Sequence, residues 1–223
     1  MLSIIIPTKN EPYIQKLVEQ INSEMRGISR EIIVVDLSDT PSKLSGAKLI
    51  RQKSKGLGNA FLEGFAVSKG EFVALMDGDG SHSAHDLKKL FQRINGHEMA
   101  WGSKLVPGGK TEDSFSRQLV TFGFSLIARA LLRIPVKDSM SGFAVYKREV
   151  IERARKKLQP RGFKINLEIY YKSHARAIEV PINFHLRKAG ESTAGWNLRG
   201  VKEALRILSL LFDLKIGRLA GKW

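Results

Sequence analysis

Apolar positions along the chain fall into short dense runs separated by stretches of helical spacing. Residues 2–7 (LSIIIP), 31–36 (EIIVVD) and 72–76 (FVALM) are near-continuous apolar runs of strand length. Two weaker runs, 47–51 and 99–103, also predict strands. Between them Ile14, Leu17, Val18 and Ile21 recur at helical spacing, and helices are predicted over 58–68 and 83–93. Strands apolar on both faces that alternate with helices predict an α/β fold, a Rossmann-like, mostly parallel sheet flanked by helices.

The second half changes character. Residues 117–133 predict a helix that is apolar around much of its circumference, and 138–146 a turn entering a short strand. A helix is expected over 162–174 and a strand over 177–184, interrupted by Pro181 and so at an edge or bulged. Residues 197–219 predict a helix with a narrow polar stripe of Lys202, Arg206, Ser209 and Asp213. Val201, Leu205, Leu208, Leu211 and Phe212 lie opposite, a face suited to burial in the protein or to a membrane interface.

Sheets of this kind bind ligands at the carboxyl ends of their strands. Polar residues gather there at Thr8 to Glu11, at Asp36, and at Asp77 and Asp79, which flank one glycine. Residues i and i+2 of an extended chain project to one side, so the two carboxylates can converge, and oxygen ligands of this kind suit Mg²⁺ or Mn²⁺. Gly78 and Gly80 beside them are expected to leave room for a ligand's approach to the backbone. Residues 53–64 (KSKGLGNAFLEG) offer a glycine turn, headed by Lys55, that opens a helix and can present N–H groups to phosphate. Phe61 stands where a dinucleotide fingerprint needs glycine, and no P-loop pattern occurs.

Composition sharpens this picture in two respects. The 37 basic against 22 acidic residues give a net charge of +15, which points to a polyanionic partner or surface. No helix-turn-helix, RNP or zinc pattern accompanies the charge, so a nucleic-acid partner is not expected. The longest uncharged run, 118–128, has eleven residues against the roughly 20 that span a bilayer. No signal-peptide pattern opens the chain, and there is no cysteine. A soluble or peripheral protein is the expectation.

Eight stretches match one family in order: IIIPTKNE, IVVD, GLGNAFLEGF, MDGDGSH, GSKLVPGG, PVKDSMSGFAVYKREV, GFKINLEI and EVPINFHLRKAGES. The chain resembles the inverting A-type (GT-A) glycosyltransferases, specifically the polyprenyl-phosphate sugar transferases of the dolichol-phosphate mannose synthase group. The resemblance implies a catalytic domain over 1–196, with a nucleotide-sugar half about 1–104 and an acceptor half about 105–196. An amphipathic membrane-interface helix over 197–223 would follow, with room for a partner protein that anchors the enzyme.

Residue by residue, the resemblance implies that Pro7, Thr8, Glu11 and Lys55 line the nucleotide-sugar pocket and that Asp36 bonds the base. Asp77 and Asp79 would form the metal-binding pair, with Ser81 supplying a further contact. Arg187 would face the donor phosphates, and Lys104, Arg117 and Thr121 the acceptor phosphate. Transfer of mannose from GDP-mannose to dolichol phosphate is the implied reaction, with Mg²⁺ or Mn²⁺ and with Asp77, Asp79 and Arg117 as the catalytic groups. The family pattern is broken at Leu37, where a second acid is usual, at Lys104 in place of arginine, and at Thr193 in place of lysine. A UDP-sugar donor, or a saccharide acceptor with Asp113 or Asp138 as base, stays open at this point.

Overall fold

The computed structural model describes residues 1–41, 43–159, 164–188 and 198–222. Thr193, and the first residues expected of two helices, Gly162 and Asn197, lie outside the described residues. The elements run in order β1 (Leu2–Thr8), α1 (Ile14–Glu24), β2 (Arg30–Asp36), β3 (Lys48–Arg51), α2 (Leu57–Val67), β4 (Phe72–Leu75), α3 (Ala84–Arg93) and β5 (Met99–Ser103). The second half supplies β6 (Lys110–Thr111), α4 (Phe115–Leu132), β7 (Ala144–Lys147), α5 (Arg148–Arg155), α6 (Ile165–Ser173), β8 (Ala177–Pro181), β9 (Asn183–Phe184) and α7 (Leu198–Leu219).

Seven strands form one sheet in the order β3-β2-β1-β4-β7-β5-β8. All pair in parallel except β7, which runs antiparallel between β4 and β5. The expected mostly parallel sheet is therefore present, and both halves of the chain share it. Strand alternation divides its side chains between two cores. Ile4, Ile6 and Ala74 pack with α1 and α3 on one face, and Ile5, Val73 and Leu75 with α2, α5 and α6 on the other.

Pro181 ends β8 at the sheet's outer edge, as a residue without an N–H requires. The expected strand over 177–184 is broken there, and after Ile182 its last two residues pair with β6 in a separate ribbon. Helix α7 departs from the single apolar face expected of it. Ile207, Leu211 and Leu214, at i, i+4 and i+7, are buried in the core, whereas Val201, Leu205, Phe212 and Ile216 are exposed. Grouping Leu211 with the outer residues fails because it continues the inward row.

Glu98, at the entry to β5, gathers three segments. Its carboxylate accepts the Arg176 N–H at 2.8 Å and an Arg153 guanidinium N–H at 2.7 Å. Burial pushes its carboxyl up, but these bonds outweigh it and hold the group below its ordinary value. A carboxyl held low in the fold stabilises it above its unfolded pKa, and loses that contribution as pH falls through the lowered value. Glu98→Gln is expected to cost about 1 kcal/mol at pH 7 in urea unfolding. The gap from the parent should close as pH drops below about 4; a gap independent of pH would contradict the charge-based account.

Candidate active site

The carboxyl ends of β1, β2 and β4 converge, and each delivers acids or hydroxyls to the same edge. Thr8 lies directly opposite Asp36 in the parallel register, and its hydroxyl donates to Asp36 Oδ1 at 3.2 Å. The same oxygen accepts the Ser38 hydroxyl at 2.5 Å and N–H at 3.1 Å, while Arg51 donates to Oδ2 at 3.0 Å. Asp36 is thus a buried carboxylate, with both oxygens bonded, that knits β1, β2 and β3 together. Pro7 precedes Thr8 in β1, and Glu11 senses Asp79 and Arg187 electrostatically. Burial raises its carboxyl first, with the Asp79 charge adding to the rise. Lys55 is exposed at the mouth of α2, where Gly56 takes a φ of +101° that side chains rarely adopt.

Beyond β4 the chain turns through Asp77 and Asp79 into α3. Ser83 caps that helix, accepting the Asp86 N–H at 3.0 Å while its hydroxyl donates to Asp86 Oδ2 at 2.8 Å. Ser81 sits beneath Asp79, and its N–H and hydroxyl donate to Oδ1 at 3.0 and 2.6 Å. Arg187 Nε donates to the other oxygen, Oδ2, at 2.6 Å. Burial would raise the Asp79 carboxyl, but Ser81 and Arg187 hold it below its ordinary value. Asp77 goes the other way, raised by burial and then by the Asp79 charge, against a lowering from His82. The two carboxylates differ because Asp79 alone accepts the two Ser81 hydrogen bonds and has the Arg187 guanidinium in contact.

The space that Gly78 and Gly80 were expected to leave for a ligand is filled by the protein itself. A Cβ at Gly78 would meet Thr8 Cγ2 at 2.7 Å. At Gly80, where φ is +77°, it would meet Tyr13 Cε1 and Lys188 Cγ at 2.7 Å. The opening lies beside Asp77 instead. Asp77's side chain is 33% exposed, and a Cβ at Gly142 would stand 3.7 Å from its Oδ2.

Among the described residues no group of three or more His, Asp or Glu encloses a cation site. Asp77 and Asp79 offer two carboxylates that suit a hard divalent ion, whose remaining oxygen ligands would have to come from outside the protein. His82 Nδ1 lies 3.7 Å from Asp77 Oδ2 and has no hydrogen-bond partner. Its ring is buried, stacked on Phe143 at 4.5 Å and edge-on to Phe184 at 5.4 Å.

Phe184 joins this pair to the cations of the second half. Lys104 Nζ stands 4.3 Å from the Phe184 ring centroid and donates to Asp113 Oδ2 at 2.6 Å. Arg117, in the first turn of α4, approaches the other Asp113 oxygen at 3.5 Å. Thr121 follows one turn later on the same side of the helix. Asp113 therefore holds Lys104 and Arg117 together. Asp138 is buried, accepts the Lys104 N–H at 3.0 Å, and is pushed up by burial.

Lys164 was not anticipated from sequence. Its Nζ donates to the Met140 carbonyl at 2.7 Å, and burial lowers its ammonium against the pull of Asp138, Glu203 and Asp77. A lone lysine at the head of an apolar helix was the only signal.

With this geometry in place, comparison with known proteins is decisive about kinship. The model of the family described as Glycosyl transferase family 2 matches residues 3–155. The chain belongs to glycosyl transferase family 2. It is 38% identical to dolichol-phosphate mannosyltransferase of Pyrococcus furiosus over 208 residues, which cover 86% of this chain and 58% of that one. The protein of the same description from Saccharomyces cerevisiae is 27% identical over 96% of this chain and 88% of its own. Polyprenol monophosphomannose synthase of Mycolicibacterium smegmatis is 32% identical, over 67% of this chain and 60% of its own. The chain thus spans less than two thirds of the Pyrococcus and Mycolicibacterium relatives.

Among solved structures, glucosyl-3-phosphoglycerate synthase from Mycobacterium tuberculosis, in complex with Mn²⁺, UDP and phosphoglyceric acid, superposes with a TM-score of 0.69 at 17% identity. That match covers 98% of this chain and 78% of the other. The same synthase with Mg²⁺ and UDP gives a TM-score of 0.68. The shared architecture is the GT-A fold.

The Asp113 hub makes a prediction about stability. Side chains of Lys104 and Asp113 are only 11% and 7% exposed, so Asp113→Asn leaves a buried ammonium without its counter-charge. A loss of about 2–4 kcal/mol in urea unfolding is expected. A loss below about 0.5 kcal/mol would place Lys104 among ordinary surface pairs.

Proposed function

We propose that this protein transfers a sugar, mannose from GDP-mannose, onto a polyprenyl phosphate at a membrane surface, with inversion at the anomeric carbon. The observation that carries the reading is on α4. Arg117 and Thr121 share that helix with Phe115, Leu119, Val120, Phe122, Leu126 and Ile127, all exposed. Exposed Val201, Leu205, Phe212 and Ile216 of α7, which packs against α4, add to the apolar surface. Cations beside a broad apolar surface suit an acceptor that is anionic at one end and hydrocarbon at the other. No helix among the described residues is long and apolar enough to cross a membrane, and the proposed attachment is peripheral.

The chemistry follows from charge. A lipid phosphate is an ionised nucleophile near neutral pH and needs no general base. Asp113, engaged by Lys104 and Arg117, and buried Asp138 are poorly suited to that role, which favours a phosphate over a saccharide acceptor. Lys104 and Arg117 would offset the repulsion between acceptor phosphate and donor diphosphate, which reaches several kcal/mol at low effective dielectric. Arg187 would take the donor phosphates. A divalent ion bound at Asp77 and Asp79 would supply Lewis-acid stabilisation of the departing nucleoside diphosphate. His82, Phe143 and Phe184 keep the floor beneath it apolar. Pro7, Thr8, Glu11 and Lys55 are assigned to the nucleotide rim. Asp36, already bonded by Thr8, Ser38 and Arg51, would serve the base with a remaining lone pair or by exchanging a partner.

The test is transfer of radiolabelled sugar from GDP-mannose, UDP-glucose or UDP-GlcNAc to polyprenyl phosphate, in Mg²⁺ or Mn²⁺, read as label in the organic phase. Mannose transfer is expected. Label from a UDP-sugar alone would reassign the donor, and no lipid product from any donor would refute the reading. Asp79→Ala should lower the rate by at least about 100-fold, on the scale of losing one charge-stabilising group, in a folded protein.

Membrane attachment is tested on the outer faces of the helices, because α7 also completes the core. Phe115→Ser, Phe122→Ser and Phe212→Ser combined should reduce co-sedimentation with anionic vesicles by about tenfold or more while the far-UV spectrum is kept. Undiminished sedimentation would overturn the interfacial assignment.

A further inference from the structure

Asp79 is matched with a cation of the chain's own. Arg187 Nε donates to Oδ2 at 2.6 Å, and Ser81 occupies Oδ1 with two bonds. The segment that carries Arg187 is clamped to the same loop. His185 N–H donates to the Ser81 carbonyl and Lys188 N–H to the Asp79 carbonyl, both at 2.9 Å. The backbone on either side of Arg187 is fixed, while its side chain is 40% exposed. A divalent ion at Asp79 has to approach the oxygen against which this guanidinium already rests, and two cations on one carboxylate repel.

We propose that Arg187 is an internal counter-ion that holds Asp79 in place of the divalent cation and is passed to the diphosphate when a nucleotide arrives. This inference rests on the donor-site reading above. Its consequence is that metal and nucleoside diphosphate bind as a coupled pair, each tightening the other by the same factor. A diphosphate is the right recipient, because the planar guanidinium fork matches phosphate oxygens and its charge assists the bond. Without the nucleotide, metal binding must break the Arg187–Asp79 pair with no diphosphate to receive the guanidinium. With it, the arginine exchanges one anion for another and Asp79 is released to the cation. Glu11, which senses both Asp79 and Arg187, marks this exchange as an event at the nucleotide end of the site.

The experiment measures Mn²⁺ binding to the full chain by electron paramagnetic resonance, alone and with saturating GDP or UDP. In the parent protein, nucleotide should tighten Mn²⁺ about tenfold or more. Arg187→Ala and Arg187→Gln should bind Mn²⁺ alone about three- to tenfold more tightly than the parent, and gain less from nucleotide. If the variants, folded by thermal melt, bind Mn²⁺ alone no more tightly than a parent that still binds the Mn²⁺–nucleotide pair, the counter-ion role is overturned and the donor site stands. A parent that binds neither Mn²⁺ nor either nucleotide overturns both.

Discussion

Negative charge gathered at one edge of the sheet is the constraint that the rest of the site answers. Parallel strands aim their carboxyl ends together, so Asp36, Asp77 and Asp79 arrive within one neighbourhood, and Asp113 joins them from the second half. Like charges in partly desolvated surroundings are costly unless cations accompany them. Arg51 meets Asp36, Arg187 meets Asp79, and Lys104 with Arg117 meets Asp113. Among the described residues, Asp77 alone of these acids has no basic side chain within salt-bridge range other than His82. The pattern leaves one acid under-compensated, at the position most open to an incoming cation.

The same arithmetic connects the site to the surface around it. The pairs draw lysine and arginine toward the sheet edge, and α4 carries one of them in its first turn. From there outward the helix presents bulky apolar side chains to its surroundings. Cationic and apolar surfaces thus lie on consecutive turns of a single helix. Ser125, Ala128 and Leu132 seat its opposite side on the core, so the arrangement is rigid.

Much of the fold was legible in the sequence because the strands are buried on both faces, and runs such as Ile4-Ile5-Ile6 and Ile32-Ile33-Val34-Val35 admit few other readings. The two-residue β6 and β9 were not, being too short to carry a period. The antiparallel insertion of β7 was hidden too, since an apolar run does not state its direction. At the site, the acids at strand ends could be read directly, but their partners could not: Arg187 and Asp79 are 108 residues apart in sequence. The expected spaces at Gly78 and Gly80 failed for a similar reason, as a glycine signals close approach without naming the neighbour. In α7, spacing correctly found an amphipathic helix and merged two apolar faces that tertiary packing separates.

The position of β7 has a consequence for how the chain reaches this state. Phe72 pairs with Lys147 and Leu75 with Ala144, so the strand that leads into Asp77 and Asp79 gains its second neighbour only when a distant segment returns. Until then β4 and β5 cannot close, and an unpaired edge stands at the centre of the future sheet. Long-range closure of this kind is slow and exposes an aggregation-prone edge in the meantime. During synthesis, the nascent amino-terminal portion would therefore be the stage at which chaperone protection matters most.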